Sequence, residues 1–154
     1  MRRAVPATAW YDLGVALEAT DPEGACRAYR RALAGRPDFA DAHNNLGRVL
    51  HDAGDLAAAE SHYRLALCGD RGVALYWFNL GVVVEDRGRI AEAVAAYEHA
   101  LALDSSRDHL ADTHYNLARL YEQIGRGTND ELAMHRAVRH FATYRAIERG
   151  VTAR

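Results

Sequence analysis

Apolar side chains recur along this chain at intervals of three and four residues, as at Leu46, Val49, Leu50 and Ala53. That spacing puts them on one side of an α-helix. The apolar stretches are short and are separated by residues that stop a helix. Gly54 and Gly88 fall where a first helix must end and reverse. Asp21-Pro22-Glu23 reads as an N-cap followed by proline at the first helical position. Thr128-Asn129-Asp130-Glu131 reads as a capping box before a long last helix. Eight helices are predicted, over about residues 7–20, 22–35, 39–53, 55–68, 72–87, 89–103, 109–125 and 129–149. The fold class is therefore all-α.

The helices come in repeating pairs. At an offset of 34 residues, Asn45 meets Asn79, Leu46 meets Leu80, Gly47 meets Gly81 and Gly54 meets Gly88. Ala59, Tyr63, Ala66 and Leu67 likewise meet Ala93, Tyr97, Ala100 and Leu101. Trp77-x2-Leu80-Gly81 followed by Ala93-x3-Tyr97, and His43-x2-Leu46-Gly47 followed by Ala59-x3-Tyr63, resemble the tetratricopeptide repeat (TPR) signature. A shorter unit precedes them, with Trp10-x2-Leu13-Gly14 and Ala25-x3-Tyr29, and a longer one follows, with His114-x2-Leu117-Ala118 and Ala137-x3-Phe141. The resemblance covers about residues 7–149, in units of about 7–39, 40–73, 74–110 and 111–149, between short tails at 1–6 and 150–154. It implies an α-solenoid of helix-turn-helix units forming a gently curved right-handed superhelix, with first helices lining the inner curve. A single hairpin cannot bury its own apolar face, so stacking must supply the core. Gly47, Ala59 and Ala66 let helices approach closely, and Tyr63 and Tyr97 fill the space between hairpins.

The residues of the first helices that the signature does not consume point to function. Spacings of three and four put one row of them along the inner face. Asn45, Asn79 and Asn116 stand at one position of successive units, where the first unit has Asp12. A carboxamide both donates and accepts, which suits a peptide unit. The row is similar to the asparagine ladder of O-GlcNAc transferase TPR arrays, and that likeness implies a clamp on extended backbone. The alternative is hydrogen bonding within the scaffold. One position earlier come Tyr11, Asn44, Phe78 and Tyr115, whose aromatic members offer apolar anchors or inter-repeat packing. Arg48 and Arg119 offer pairing to a carboxylate or carbonyl, or an internal pair with Asp52 and Glu122. Glu85, with Glu18, Asp52, Asp86 and Glu122, biases one rim negative.

Composition removes several classes. All nineteen basic residues are arginine, so Schiff-base lysine chemistry and a P-loop are excluded. The absence of lysine also argues against the carboxylate-holding ligand mode of chaperone-binding TPR domains, as do Tyr11 and Val15 in the first unit. The bias fits a GC-rich genome. A net charge of −2 points neither to nucleic acid nor to an anionic membrane. Cys26 and Cys68 form no C-x-x-C pair and are expected to be buried free thiols. The eight histidines form no H-E-x-x-H, and His135 and His140 are badly spaced for one helical face. Ser105-Ser106 lies in the linker between the third and fourth units with no base anchored nearby, and no G-x-S-x-G or G-x-G-x-x-G occurs.

These readings predict a non-catalytic adaptor without metal or cofactor, cytoplasmic by default, that binds an extended peptide or partner segment in its concave groove. The alternative is a self-assembling scaffold subunit acting through its end faces and final helix, although the sequence itself does not argue for a homo-oligomer. That last helix, with Arg136, Arg139, His140, Arg145 and Arg149, is expected as a polar-faced cap that closes the stack.

Overall fold

A computed structural model describes residues 4–103 and 109–150. Ser105-Ser106 and parts of both tails lie outside the described residues. The chain runs through α1 (Ala7–Leu17), α2 (Pro22–Gly35), α3 (Ala40–Asp52), α4 (Leu56–Gly69), α5 (Ala74–Asp86), α6 (Ile90–Leu103), α7 (Leu110–Thr128) and α8 (Glu131–Glu148). The described residues contain no strand. Consecutive helices pair as antiparallel hairpins, and each hairpin's second helix packs on the first helix of the next. The result is an α-solenoid. The first helices α3 and α5 also touch directly, whereas α4 and α6 make no comparable approach. First helices therefore crowd the inner side of the curve.

The local signals act largely as the sequence suggests. Gly54 and Gly88 take φ of 84° and 76°, the left-handed region in which a side chain is strained, and they reverse the chain after α3 and α5. The Asp21 carboxylate caps α2 by accepting from the Gly24 N–H at 2.8 Å. Two boundaries differ. α1 ends at Leu17, because the first unit lacks a residue between its helices and its turn begins early. α7 runs on to Thr128, whose hydroxyl donates to the Ile124 carbonyl within the helix. Asn129 makes the left-handed turn at φ 53°, and Asp130 caps α8 through the Leu132 and Ala133 N–H groups.

The glycines of the signature set the depth of packing inside each hairpin. A β-carbon at Gly14, Gly47 or Gly81 would lie 2.5, 2.9 or 2.7 Å from the ring of Tyr29, Tyr63 or Tyr97. Those three rings are fully buried as a consequence. One apolar cluster joins α2 and α3 around Tyr29, Phe39 and Leu46. A second runs from α4 through α8 around Tyr63, Leu80, Tyr97 and Leu117, and Leu50 lies against both. The core is thus continuous along the stack. Two expectations fail here. Cys26 is only half-buried and Cys68 is exposed. α8 does not present a polar cap either, because Leu132, Val138 and Phe141 all face outward.

One buried charge on the convex side ties neighbouring hairpins together. Glu60, on α4, is almost completely buried. It pairs with Arg64 on its own helix, with Arg87 at 2.5 Å and with Arg89 at 2.7 Å, both from the turn between α5 and α6. Replacing Glu60 by alanine should cost about 2 kcal/mol, since three guanidinium groups lose their common anion, whereas methionine should recover much of that loss by packing. Denaturant unfolding of both variants measures this.

Candidate inner-face interface

Two junctions of the inner face carry the same polar set. Where the first unit meets the second, Glu18 accepts from the Tyr29 hydroxyl and pairs with Arg48 of the next unit. Where the third meets the fourth, Glu85 accepts from the Tyr97 hydroxyl at 3.0 Å and pairs with Arg119. Burial, followed by the bond to Glu18, raises the Tyr29 phenol well above its ordinary pKa. Burial and the nearby Glu85 charge do the same for Tyr97. Both tyrosines are therefore fixed donors at physiological pH. The middle junction differs because His51 and Val82 hold the glutamate and arginine positions. There His51 Nε2 meets Asp86 Oδ2 at 2.6 Å instead.

The arginine pairing departs from expectation in its partners. Arg48 and Arg119 reach back to the preceding unit, not along their own helices to Asp52 and Glu122. Glu122 pairs with Arg126. A reading across units carried this signal, because each arginine follows a unit with glutamate at the matching position, and Val82 follows a unit with histidine there.

The asparagines are unequal. Asn45 Nδ2 donates to the Tyr11 hydroxyl at 3.1 Å and lies 3.4 Å from that of Tyr29, while its Oδ1 accepts from Asn44 at 3.2 Å. Its carboxamide is thus engaged at both ends by the scaffold. Asn79 Nδ2 donates to Asn44 Oδ1 at 2.8 Å. Asn116 is half-buried on α7, where its carboxamide opposes the rise of the Tyr97 phenol's pKa. Asn44 does not line the groove: it is buried, because its amide bridges Asn45 and Asn79 between α3 and α5.

The aromatic row is mostly consumed by packing against the N-cap residue that leads into the next unit's first helix. Tyr11 leans on Phe39 with ring centroids 4.8 Å apart, and Phe78 stacks on His109 at 5.2 Å. Tyr115, in the last unit, remains exposed, as does Asp12 in the first. Half-exposed Arg48 and Arg119, with Asn79, Asn116 and Tyr115, thus form the accessible polar strip.

Sequence reasoning missed two part-buried histidine pairs. His43 Nε2 lies 2.9 Å from the Pro37 carbonyl oxygen, which can only accept. The proton therefore sits on Nε2, and His43 Nδ1 accepts from His62 Nδ1 at 3.0 Å. His114 and His140 repeat the contact at 2.8 Å in the last hairpin. Among the described residues no three His, Cys, Asp or Glu side chains converge as metal ligands, and no helix is long and apolar enough to cross a membrane.

Curved stacking of helical hairpins with a signature glycine seating a buried tyrosine defines a repeat solenoid. Two tetratricopeptide repeat family models match the chain, over residues 15–73 and 70–126. The chain belongs to the tetratricopeptide repeat family. No curated protein matches its sequence. Among solved structures, it is similar to a crystal structure of MamA, with TM-score 0.81 and 19% identity over 94% of this chain and 79% of that one. It is also similar to the first TPR domain of Spaghetti (RPAP3) bound to the HSP90 peptide SRMEEVD, with TM-score 0.71 and 18% identity over 77% and 93%. The OM64 TPR domain of Arabidopsis gives TM-score 0.70 and 19% identity over 76% and 95%. Identities this low speak for the fold alone.

Proposed function

We propose that this protein is a non-catalytic adaptor that holds an extended segment of a partner protein along its inner face. The observation that carries the reading is the strip of Asn79, Asn116, Arg48, Arg119 and Tyr115, polar groups on successive first helices that hydrophobic packing leaves accessible. Asn79 uses its Nδ2 to donate to Asn44, so its own carbonyl oxygen can accept from a backbone N–H, and half-buried Asn116 offers a carboxamide of the same kind. The half-exposed guanidinium groups add donors for carbonyls or acidic side chains. A peptide seated this way is read through its backbone more than its side chains. The RPAP3 domain, similar in fold, is seen with a bound peptide. A chaperone tail of that kind remains a poor candidate here, since this chain has no lysine and offers Tyr11 and Val15 in its first unit.

Asn45 belongs to the scaffold, so the test uses Asn79→Ala combined with Asn116→Ala. Peptides selected from a random display library on the wild-type protein should bind the double variant about tenfold more weakly. Circular dichroism should be unchanged. Equal binding to both proteins, or selection of no peptide above background, overturns the reading.

A further inference from the structure

The two ends of the solenoid are unfilled halves of one interface, the same one that the chain uses internally three times. At each internal junction a stripe on the incoming first helix packs into the groove of the preceding hairpin. In the second unit the stripe is Ala42, Leu46 and Val49, in the third Tyr76, Leu80 and Val83, and in the fourth Thr113, Leu117 and Leu120, all of them buried. The first unit presents the same stripe as Ala9, Leu13 and Ala16, all exposed among the described residues. Leu13 is 43% exposed, whereas its counterparts Leu46, Leu80 and Leu117 are 0%, 7% and 0%. Val15 beside it is 48% exposed.

The receiving half is open at the other end. Phe141 takes the place of Tyr29, Tyr63 and Tyr97, which are at most 1% exposed, yet it is 47% exposed. Val138 takes the place of buried Glu60 and Val94 and is 68% exposed. Tyr115 holds the position from which Tyr11 and Asn44 bond Asn45 and Asn79 of the following unit and Phe78 packs on His109 at the N-cap of α7, and it is 44% exposed. Together with Met134, Ala137 and Ala118 these residues line a mainly apolar groove of about 500 Å³ between α7 and α8, with Arg119 and Glu122 on its edge. Its polar edge matches at one position and differs at another, since Val15 would face Glu122 where arginine faces Glu18 and Glu85 at the internal junctions. At the first internal junction Asn45 donates to the Tyr11 hydroxyl. Asp12 holds the position of Asn45, so its carboxylate would accept from the Tyr115 hydroxyl.

We infer that the occupant of the α7–α8 groove is α1 of a second copy of this chain, seated in the register of the internal junctions. The occupant follows from continuity: the stripe on α1 has the spacing accepted at every earlier step, and the receiving side departs from the internal ones in Tyr144, which replaces Ala32, Ala66 and Ala100 and lies against Tyr115 and Phe141. The contact joins two different surfaces and is not closed by a two-fold axis, so copies add head to tail into an open series. This association takes up Tyr115 and borders Arg119 at the end of the inner strip but leaves Asn79, Asn116 and Arg48 uncovered, and its argument does not rest on the peptide-binding reading.

The test uses light scattering after size exclusion, from low micromolar to millimolar protein. The wild-type mass should rise continuously with concentration. Leu13→Arg and Val138→Arg each block one end and should each be monomeric. Mixed together, they should form a heterodimer that grows no further, since each supplies the end the other lacks. Both side chains are exposed, so folding should be retained, as checked by circular dichroism. If Leu13→Arg fails to fold, Ala16→Arg blocks the same stripe. A wild-type monomer throughout the range, a wild-type dimer that does not grow, or a mixture that stays monomeric overturns the proposal.

Discussion

Gly81→Ala should destabilise the protein by about 2 kcal/mol, although alanine is intrinsically the better helix former by roughly 1 kcal/mol. The added methyl would lie 2.7 Å from Tyr97 Cε1 and 2.8 Å from Cδ1, inside contact distance. The ring cannot retreat easily. It is fully buried, and its hydroxyl is held by Glu85. Tyr97→Ala alone should cost about 3–5 kcal/mol, because it leaves a cavity at the centre of the larger cluster. The informative variant is the double one. With the ring gone the methyl has room, so Gly81→Ala should then stabilise by up to about 1 kcal/mol through helix propensity. Urea unfolding of the four proteins closes the cycle. If the glycine substitution has the same sign in both backgrounds, the glycine is not there to seat the ring.

Mild acid should unfold the protein through its histidine pairs. Burial, then the neighbouring His43, pushes His62 below its ordinary pKa, and burial pushes His114 down. His140 is lowered to about 4 by burial first, then by His114 and Arg139, with Glu98 opposing. These groups are neutral in the folded chain but take up protons in the unfolded chain from about pH 6.5 downward. The unfolded state therefore binds more protons below that pH. Stability is fully present above about pH 6.5 and is lost as the pH falls toward about 4. His114 and His140 titrate as a pair, and after discounting for partial solvent access they account for about 2 kcal/mol of that loss. Thermal melts at about pH 7.5 and about pH 5 should differ by several degrees, and His140→Gln should flatten the difference. Equal melting temperatures at both pH values would leave the pairs without this role.

What the sequence made legible was periodic. Helix number, the 34-residue phase, the turn glycines and the buried tyrosines are set by spacing within one unit, and the structure repeats them. The site was legible only in part. Asn45, Asn79 and Asn116 share a position, yet their surroundings differ, because each meets a different residue of the preceding unit. Asn44 belongs to the same inner face by spacing, but the close approach of α3 and α5 buries it. Glu60 reads as a solvated charge until the turn between α5 and α6 brings Arg87 and Arg89 onto it.

The sequence by itself determined that these segments are helices, that they pair, and that the pairs stack, since a one-sided apolar stripe has no other way to leave water. Tertiary structure alone decided which polar groups the junctions consume and which stay free. That choice depends on side chains 27 to 35 residues apart, as for Glu60 with Arg87 and Asn44 with Asn79, which no local spacing rule reaches. It also decided that the ends remain apolar and open, because exposure is a property of what lies opposite a stripe and not of the stripe.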